Sequence, residues 1–272
     1  MPEVSIIIPC YQEETHLELS VSELIFNLNN FKFDYELLFI DDGSTDGTKL
    51  ILEKIKNNFP HVKVFYNSYN IGRGASVEIG IRESDAKVVG FLDIDLSTPP
   101  VNIGPLIQLI QSDFVDVAIA FRVYKLKLSV LPFIIHRVIL SYGYRILSRN
   151  YLGHKFRDTE TGTKFFNRKK ILSIIDQIED KHWFWDTEVM LLSAIKGLKI
   201  VEIPAVYIRR PCKPSTVKIF KDVISYFRNL WKFRLRLRKH LSQKKVLLHP
   251  INYELIINMI KKEQFNGETS KK

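Results

Sequence analysis

The amino-acid sequence predicts an α/β protein with a mainly parallel sheet and helices on both faces. Short apolar runs alternate with segments of helical periodicity through the first half of the chain. The 272 residues are enough for a large core, and 46% hydrophobic with 26% charged residues is typical of a globular protein. Polar, acidic or glycine-rich loops follow four successive predicted strands, as expected where the carboxyl ends of parallel strands form a ligand-binding edge.

The first half of the chain supplies the alternating elements. Each predicted strand is a run rich in β-branched and aromatic residues, and each predicted helix has apolar residues three and four positions apart. The strands are "VSIIIP" (4–9), "YELLFIDD" (35–42), "VKVFYN" (62–67), "KVVGFLD" (87–93) and "VDVAIAF" (115–121). Helices are predicted between them, at 16–31, from the "GSTDG" turn through residue 56, at 75–84 and near 101–111.

The pattern changes after residue 122. Residues 126–152 mix apolar and basic side chains, and "RDTETGTKFF" (157–166) is typical of a turn that enters a strand. A helix is predicted within 182–199, ending near Gly197, and a last strand at 200–208. Residues 215–241 place apolar side chains at helical spacing with Lys and Arg on the other face, and about the last 20 residues are predicted to fray.

Export and membrane-spanning signals are not predicted. The two cysteines, Cys10 and Cys212, match neither a disulfide framework nor a metal-site spacing, so a reducing cytoplasm is expected. The N-terminus lacks the basic and apolar regions of a secretory signal. The most apolar window, 128–147, is interrupted by His136, Arg137 and Arg145 and is not expected to span a bilayer.

The basic charge of the chain is local. Residues 209–245 hold 13 Lys and Arg against one acid, Asp222, which gives +12 there and leaves −2 elsewhere out of a net +10. Such a segment indicates an anionic partner, either a lipid surface or nucleic acid. Nucleic acid is disfavoured because no nucleic-acid-binding motif accompanies the charge.

Two carboxylates end the fourth predicted strand. In "VVGFLDIDLSTPP", Asp93 and Asp95 follow a buried run, where nothing apolar offsets the cost of desolvating them. A divalent cation would offset it, since Mg2+ and Mn2+ typically take one or two carboxylates together with substrate phosphates. Two Asp residues separated by one residue are common by chance. Their position directly after a strand in an α/β chain strengthens the interpretation as a metal site.

Several motifs together resemble a known family. "SIIIPCYQEE", "FIDDGSTDGT", "NIGRGAS", "FLDIDLSTPP", "FRDTETGTKFF", "WFWDTEVM" and "VEIPAVYIRR" occur in the order typical of family 2 glycosyltransferases with the GT-A fold. Within that family the chain is most similar to polyprenyl-phosphate glycosyltransferases related to dolichyl-phosphate mannose and glucose synthases. The resemblance implies a GT-A catalytic domain at 1–212, with a nucleotide-sugar half to about 122 and an acceptor half at 123–212. A basic amphipathic membrane-associating helix is expected at 213–245, and a partly disordered extension at 246–272.

The resemblance implies a nucleotide-sugar site and a metal site. Pro9, Tyr11 and Glu13 fall in the loop that closes over the nucleotide. Asp41 matches the residue that contacts the nucleobase, and Asp42 lies beside it. Gly72, Arg73 and Gly74 match the segment whose backbone approaches the nucleotide. Asp93, Asp95 and Ser97 match the Mg2+ or Mn2+ site, although Ser97 stands where the family often has Gln. Arg210 and Ser215 match a diphosphate-binding segment in which Lys213 and Thr216 replace the usual Gly and Lys.

The acceptor side is implied by the same resemblance. Arg122 and Arg137 match arginines that receive the acceptor phosphate or the leaving diphosphate, and guanidinium groups suit phosphate because they bind it bidentately. Asp158 matches a common family position, and a turn-capping role fits it equally.

Two mechanisms remain open at this stage. A lipid monophosphate, with a second pKa near about 6, is mostly dianionic at neutral pH and needs no protein base, so Asp95 and the arginines would supply charge and alignment. A hydroxyl acceptor would need a base, for which Asp186 or Glu188 are the candidates. Both acids also suit a helix N-terminus, where the helix dipole favours them.

The predicted activity is inverting transfer of a hexose from UDP- or GDP-hexose to undecaprenyl or dolichyl phosphate. The protein is then expected at the cytoplasmic face of the cell membrane, or of the ER membrane in a eukaryote. It would be attached by binding to the anionic surface of that membrane or to a membrane partner chain. The alternatives are a transferase of the same fold with a hydroxyl acceptor, and a non-catalytic nucleotide-sugar-binding or membrane-scaffold protein.

Overall fold

A computed structural model describes residues 1–124, 131–208, 219–241 and 250. The strands are β1 (Val4–Cys10), β2 (Tyr35–Asp41), β3 (Val62–Tyr66), β4 (Val88–Leu92), β5 (Val117–Tyr124), β6 (Thr163–Asn167) and β7 (Ile200–Tyr207). The helices are α1 (Leu17–Leu28), α2 (Thr48–Asn58), α3 (Arg73–Glu83), α4 (Ile103–Gln111), α5 (Leu131–Leu152), α6 (Arg168–Leu172), α7 (Trp185–Ile195) and α8 (Ile219–Leu241). Short 3-10 turns lie at Pro100–Asn102 and Ile175–Gln177.

The strands form one mainly parallel sheet, in the order β3-β2-β1-β4-β6-β5-β7. Only β6 runs against its neighbours β4 and β5 in this sheet, whereas β7 is parallel to β5. The β4–β6 register pairs Leu92 with Thr163, and the amide of Asp93 donates to the carbonyl of Gly162 at 3.1 Å. The antiparallel strand therefore brings the "TETG" turn against the acidic end of β4.

Helices cover both faces of the sheet, as predicted. Alternate residues of β1 face opposite cores: Ile6 and Ile8 pack with residues of α1 and α4, and Ile7 packs with α3, α7 and α8. This alternation follows from the two-residue side-chain period of a strand. Full burial on both sides explains why β1 is a continuous apolar run rather than an alternating one.

The second half of the chain contains a helix that the sequence pattern did not define. Leu131–Leu152 is the single helix α5, within the segment that the sequence shows only as mixed apolar and basic. It contacts α8. Among the described helices, none combines the length and apolarity that crossing a membrane requires.

Helix α8 carries two apolar stripes. Leu230, Phe233 and Leu237 are buried against the domain, and the rings of Phe233 and Phe184 lie 5.9 Å apart. A second stripe, Phe227, Trp231 and Leu235, is exposed at 54%, 56% and 42% respectively. The helix therefore belongs to the folded domain while still presenting apolar side chains outwards. The domain boundaries at 212 and 245 and the predicted disorder after 246 fall outside the described residues and stay predictions.

Candidate active site

The loops after β1 and β2 are joined by hydrogen bonds. The amide of Gln12 donates to Ser44 Oγ at 3.1 Å and that of Glu13 to Thr48 Oγ1 at 2.8 Å, and Gly47 donates its amide to Glu14 at 2.6 Å. The predicted nucleotide loop is therefore held against the start of α2. Pro9 is half-buried, Tyr11 is 39% exposed, and the carboxylate of buried Glu13 lies 2.7 Å from His16.

The two acids that end β2 have different partners. Asp41 is fully buried and accepts the amide of Ser44 at 3.2 Å. Asp42 accepts the amides of Ile71 and Gly72 at 2.9 and 3.0 Å, so it fixes the glycine-containing loop before α3. The structure thus supports a positional role for Asp42 and leaves the predicted base contact of Asp41 a prediction.

The glycines of "GRG" are required by close packing with the start of α7. Gly72 has φ of +107°, and a methyl group there would overlap the carbonyl of Lys181. A methyl group on Gly74 would lie 2.5 Å from Trp185. These two glycines therefore allow α3 to pack closely against the start of α7, the helix that carries Asp186. Their predicted contact with a nucleotide stays a prediction.

A buried charge cluster joins β4, α3, β6 and α7. Arg73 donates to Asp93 Oδ1 through Nη2 at 2.6 Å and to Asp186 Oδ2 through Nη1 at 2.7 Å. Lys164, buried in β6, donates to Asp186 Oδ1 at 2.6 Å, and burial lowers its pKa against the opposing effect of Asp186. The hydrogen bond from Arg73 thus fixes the position of the Asp93 carboxylate, while 39% of that side chain remains exposed to solvent.

Asp95 and Ser97 lie in a tight turn beyond β4. The amide of Ser97 donates to Asp95 Oδ1 at 2.9 Å, and Leu96 between them has φ of +49°. The amide of Ile208, just after the end of β7, donates to the carbonyl of Ser97 at 2.8 Å. Within the described ranges no group of three or more His, Cys, Asp or Glu side chains could hold a metal by itself.

The acidic turn suits a cation that is completed by substrate. Asp93 is partly exposed, and a side chain at Gly162 would overlap its Oδ2, so only glycine leaves room for this carboxylate. Two carboxylates and a hydroxyl are hard oxygen donors, which Mg2+ and Mn2+ accept when phosphate oxygens fill the remaining positions. The residues present therefore fit a divalent ion bound together with a diphosphate.

Arg122 is held by a carboxylate rather than left free at the surface. Its Nε and Nη2 donate to the two oxygens of buried Asp158 at 2.7 and 2.8 Å, and Arg145 donates to Asp158 Oδ2 at 2.7 Å. Burial acts to raise the pKa of Asp158, but the guanidinium groups of Arg122 and Arg145 outweigh it and lower that pKa. Asp158 also accepts the amide of Glu160 at 3.2 Å, so it caps its turn as well.

Glu160 is a titratable group that the sequence pattern did not single out. Burial raises its pKa to about 7, with Arg122 and Tyr226 of α8 opposing the shift and Asp158 adding to it. Its carboxylate lies 4.0 Å from Arg122. Lys164 was also not predicted, although a lysine inside the apolar strand "TKFF" was a usable signal, because lysine is almost never fully buried without a partner.

The two candidate bases are both engaged in ion pairs. Asp186 uses its oxygens for Arg73 and Lys164. Glu188 accepts from Arg236 of α8 at 2.7 Å and from the amide of Glu179 at 2.8 Å, contacts that connect it to α8 rather than to the Asp93 cluster. The structure therefore brings Asp186 into the site and does not bring Glu188 there.

Three predicted residues are not described at side-chain level. Arg137 lies in the first part of α5 (131–140), of which only the backbone is described, and Arg210 and Ser215 fall within 209–218, outside the described residues. Their predicted phosphate contacts stay predictions, as does a substitute role for Lys213.

A scan against family models matches residues 5–174 to glycosyl transferase family 2. The chain belongs to glycosyltransferase family 2. Glycosyltransferase AglD of Haloferax volcanii is 26% identical over 242 residues, which cover 87% of this chain and 38% of AglD. Dolichyl-phosphate beta-glucosyltransferase of Saccharomyces cerevisiae is 29% identical over 218 residues, covering 74% of this chain and 65% of that protein. This family 2 glycosyltransferase thus spans less than two thirds of the length of both relatives.

Solved structures share the fold. Glucosyl-3-phosphoglycerate synthase from Mycobacterium tuberculosis, in complex with phosphoglyceric acid, has a TM-score of 0.60 at 16% identity, covering 86% of this chain and 79% of that one. The mannosyltransferase PcManGT from Pyrobaculum calidifontis, in complex with GDP-Man and Mn2+, has a TM-score of 0.54 at 15% identity, covering 78% and 58%. These likenesses confirm the predicted GT-A arrangement of the family 2 glycosyltransferase.

Gly162→Ala is expected to lower transfer activity at least about tenfold, because the added methyl group displaces the Asp93 carboxylate, which we expect to help hold the donor diphosphate. The measurement is the initial rate at varied Mn2+, where the variant should need more metal. Gly143→Ala is the matched control, since a methyl group there meets nothing within 4 Å and alanine favours the helix. Equal activity of both variants would contradict this role of Gly162.

Glu160 is expected to make the free energy of unfolding fall as pH rises from about 4.5 to about 7. Its pKa is raised from 4.5 to about 7 in the fold, so the folded protein keeps the proton across that window and its stabilisation is lost as the carboxyl ionises. The expected loss is about 3 kcal/mol. Urea unfolding at several pH values should show a shallower decline for Glu160→Gln than for wild type. Parallel curves would contradict it.

Proposed function

We propose that this family 2 glycosyltransferase transfers a hexose from a nucleotide-sugar to a polyprenyl phosphate, with inversion and with Mg2+ or Mn2+. The observation that carries the proposal is that the end of β7 contacts both an acidic turn (Asp93, Asp95) and an arginine pair (Arg122, Arg145). The amide of Ile208 donates to the carbonyl of Ser97 in that turn at 2.8 Å, and the Arg122 guanidinium lies 6.0 Å from the ring centre of Tyr207. The names of the relatives support it, since one acts on dolichyl phosphate. A solved structure of similar fold contains Mn2+ and UDP.

The donor side needs charge compensation. Asp93, Asp95 and Ser97 would hold the cation, which when bound neutralises charge on the leaving diphosphate. Arg73 orients Asp93 through two hydrogen bonds of 2.6 and 2.8 Å, and its pairing with Asp186 fixes the guanidinium. Arg73 and Asp186 therefore hold the Asp93 carboxylate in place before the substrate binds.

The acceptor side favours phosphate over a hydroxyl nucleophile. A phosphate monoester is mostly dianionic near neutral pH and needs no proton removed. A hydroxyl would need a base, but Asp186 accepts hydrogen bonds from Arg73 and Lys164, and Glu188 bonds to α8. The oxygens of both carboxylates therefore already accept hydrogen bonds from cationic side chains of this chain.

The test compares acceptors. Purified protein with Mn2+ is given UDP-glucose or GDP-mannose and either undecaprenyl phosphate, dolichyl phosphate or free monosaccharides. We expect product only with the prenyl phosphates, and loss of product with EDTA. Transfer to monosaccharides alone would establish the hydroxyl-acceptor alternative, and absence of turnover with every donor would favour the binding-protein alternative.

Membrane attachment is part of the proposal. On α8 the exposed stripe Phe227, Trp231 and Leu235 lies next to exposed Arg228 and Lys232. Aromatic and aliphatic side chains beside basic ones are the composition of helices that lie in the interface of an anionic bilayer. We place the protein at the cytoplasmic membrane face, held by this surface, with a membrane partner chain as an additional anchor.

A triple serine variant at Phe227, Trp231 and Leu235 is expected to lower binding to vesicles containing phosphatidylglycerol at least about tenfold, because each side chain contributes roughly 1 kcal/mol or more when buried in lipid. Cosedimentation measures it. The control replaces Leu19, Phe26 and Leu50, which are exposed at 77%, 73% and 65% on α1 and α2. Equal vesicle binding by the two triple variants would contradict the assignment of this surface.

A further inference from the structure

The cluster around Asp158 carries more positive than negative charge. Arg122 and Arg145 both donate to Asp158 Oδ2 at 2.7 Å, so two guanidinium groups share one carboxylate. Two further acids lie nearby: Glu160 is 4.0 Å from Arg122, and Glu202 accepts the amide of Asp158 at 3.2 Å. Burial raises the pKa of each to about 7, so both are only partly ionised near neutral pH. An incompletely compensated cation away from water is costly, so the cluster favours an added anion.

Arg145 has a donor that no described group uses. Its side chain is 11% exposed, and its Nε is buried without a hydrogen-bond partner in the described part of the chain. The guanidinium lies 5.5 Å from the ring centres of both Tyr124 and Tyr142, which fix its plane. Buried donors are nearly always satisfied, so a fixed unpaired donor indicates a missing acceptor.

Aromatic rings connect this cluster to the acidic turn. Tyr124 and Tyr207 have ring centres 5.1 Å apart, and the Arg122 guanidinium lies 6.0 Å from the Tyr207 ring. The amide of Ile208, the residue after Tyr207, donates to the carbonyl of Ser97 in the acidic turn at 2.8 Å. An anion held by the two arginines would therefore be separated from the acidic turn by about one aromatic ring.

We propose that Arg145 acts with Arg122 as the binding site for a phosphate monoester, the phosphate of the acceptor. The inference rests on the proposed function and adds a second arginine, on α5, to the acceptor site. In this arrangement Asp158 holds the two guanidinium groups in register, and Arg145 Nε donates to a phosphate oxygen. Arginine suits this because its donors form a fixed fork that matches phosphate geometry.

The experiment measures farnesyl phosphate binding by calorimetry, and KM for farnesyl phosphate and for the nucleotide-sugar in the Mn2+ assay. Arg145→Gln is expected to weaken farnesyl phosphate binding and raise its KM about 10- to 100-fold, as losing a charge-assisted phosphate contact should. The donor KM should stay within about twofold. Arg145→Lys should recover part of the loss, because it restores charge without the fork.

Arg149→Gln is the matched control, since Arg149 is an exposed arginine one turn further along α5. It should bind farnesyl phosphate as wild type does. Urea unfolding of Arg145→Gln checks the fold, which should persist because Asp158 keeps Arg122 as its partner. Competition of farnesyl phosphate by inorganic phosphate would support recognition of the phosphoryl group itself.

Three outcomes would overturn the assignment. Unchanged farnesyl phosphate affinity in Arg145→Gln would remove Arg145 from the site. An equal rise in the KM for the nucleotide-sugar would place Arg145 at the leaving diphosphate instead. A wild-type protein that ignores farnesyl phosphate but glycosylates a monosaccharide would defeat the proposed function and the inference with it, whereas the first two outcomes leave the proposed function standing.

Discussion

Asp95→Ala is expected to lower the rate of hexose transfer by about 1,000-fold. Asp95 is in the turn that follows β4, where its Oδ1 accepts the amide of Ser97 at 2.9 Å. That hydrogen bond leaves its Oδ2 available to bind a cation. Removing it takes away one of two carboxylates that would hold the divalent ion on the diphosphate. Loss of one fixed charge-stabilising group typically costs about 100- to 1,000-fold, and a weakened metal site adds to that.

The measurement is the initial rate of transfer at saturating Mn2+ and nucleotide-sugar, with metal affinity titrated separately. Asp85→Ala is the control, because Asp85 is an exposed acid elsewhere on the surface. It should retain the wild-type rate. A rate for Asp95→Ala within about threefold of wild type would remove Asp95 from the metal site and with it the central assumption of the proposed mechanism.

Asp158→Asn is expected to lower the free energy of unfolding by about 3 to 5 kcal/mol. Asp158 is fully buried, and both Arg122 and Arg145 pair with it, so its neutralisation leaves two largely enclosed guanidinium groups with Glu160, 4.0 Å from Arg122, as a partly ionised neighbour. Breaking a buried ion pair costs more than forming one contributes, because the remaining charge is left desolvated.

Urea unfolding at neutral pH measures this loss. Asp113→Asn is the matched control: Asp113 pairs with Lys87 at 3.0 Å, but both side chains are more than half exposed, so the expected change is below about 0.5 kcal/mol. Similar midpoints for the two variants would mean that water or a counter-ion compensates the arginines, and the charge argument for the cluster would fail.

Much of the fold could be predicted because each element carries its own periodicity. β1 and β4 are fully apolar runs, since parallel central strands are covered on both faces, and they were placed within a residue of their observed ends. The sequence indicated a strand after the "RDTETG" turn, but the antiparallel direction of β6 could not be predicted, because the direction in which a strand inserts depends on pairing with distant residues. Helix α8 was likewise predicted from its spacing, but its two apolar stripes become distinct only when the domain covers one of them.

The candidate site could be predicted in part. Asp93 and Asp95 were recognisable because acids directly after an apolar strand contradict the local pattern. Arg145 was visible only as a charge that interrupts an apolar helix, and its relation to Asp158 arises from a fold-back of 13 residues. Glu188 shows the reverse case: its position beside Asp186 suggested a shared role, but two residues along a helix turn side chains to different faces.

The seating of α8 has a practical consequence for anyone who wishes to make a lipid-free version of the enzyme. A truncation ending at residue 218 would expose Phe184 to solvent and remove Arg236, the guanidinium partner of Glu188. The domain would then present an apolar, aggregation-prone patch where α8 had packed. Such a product should precipitate on expression. Detergent independence is better sought by altering outward side chains one at a time while the helix is kept.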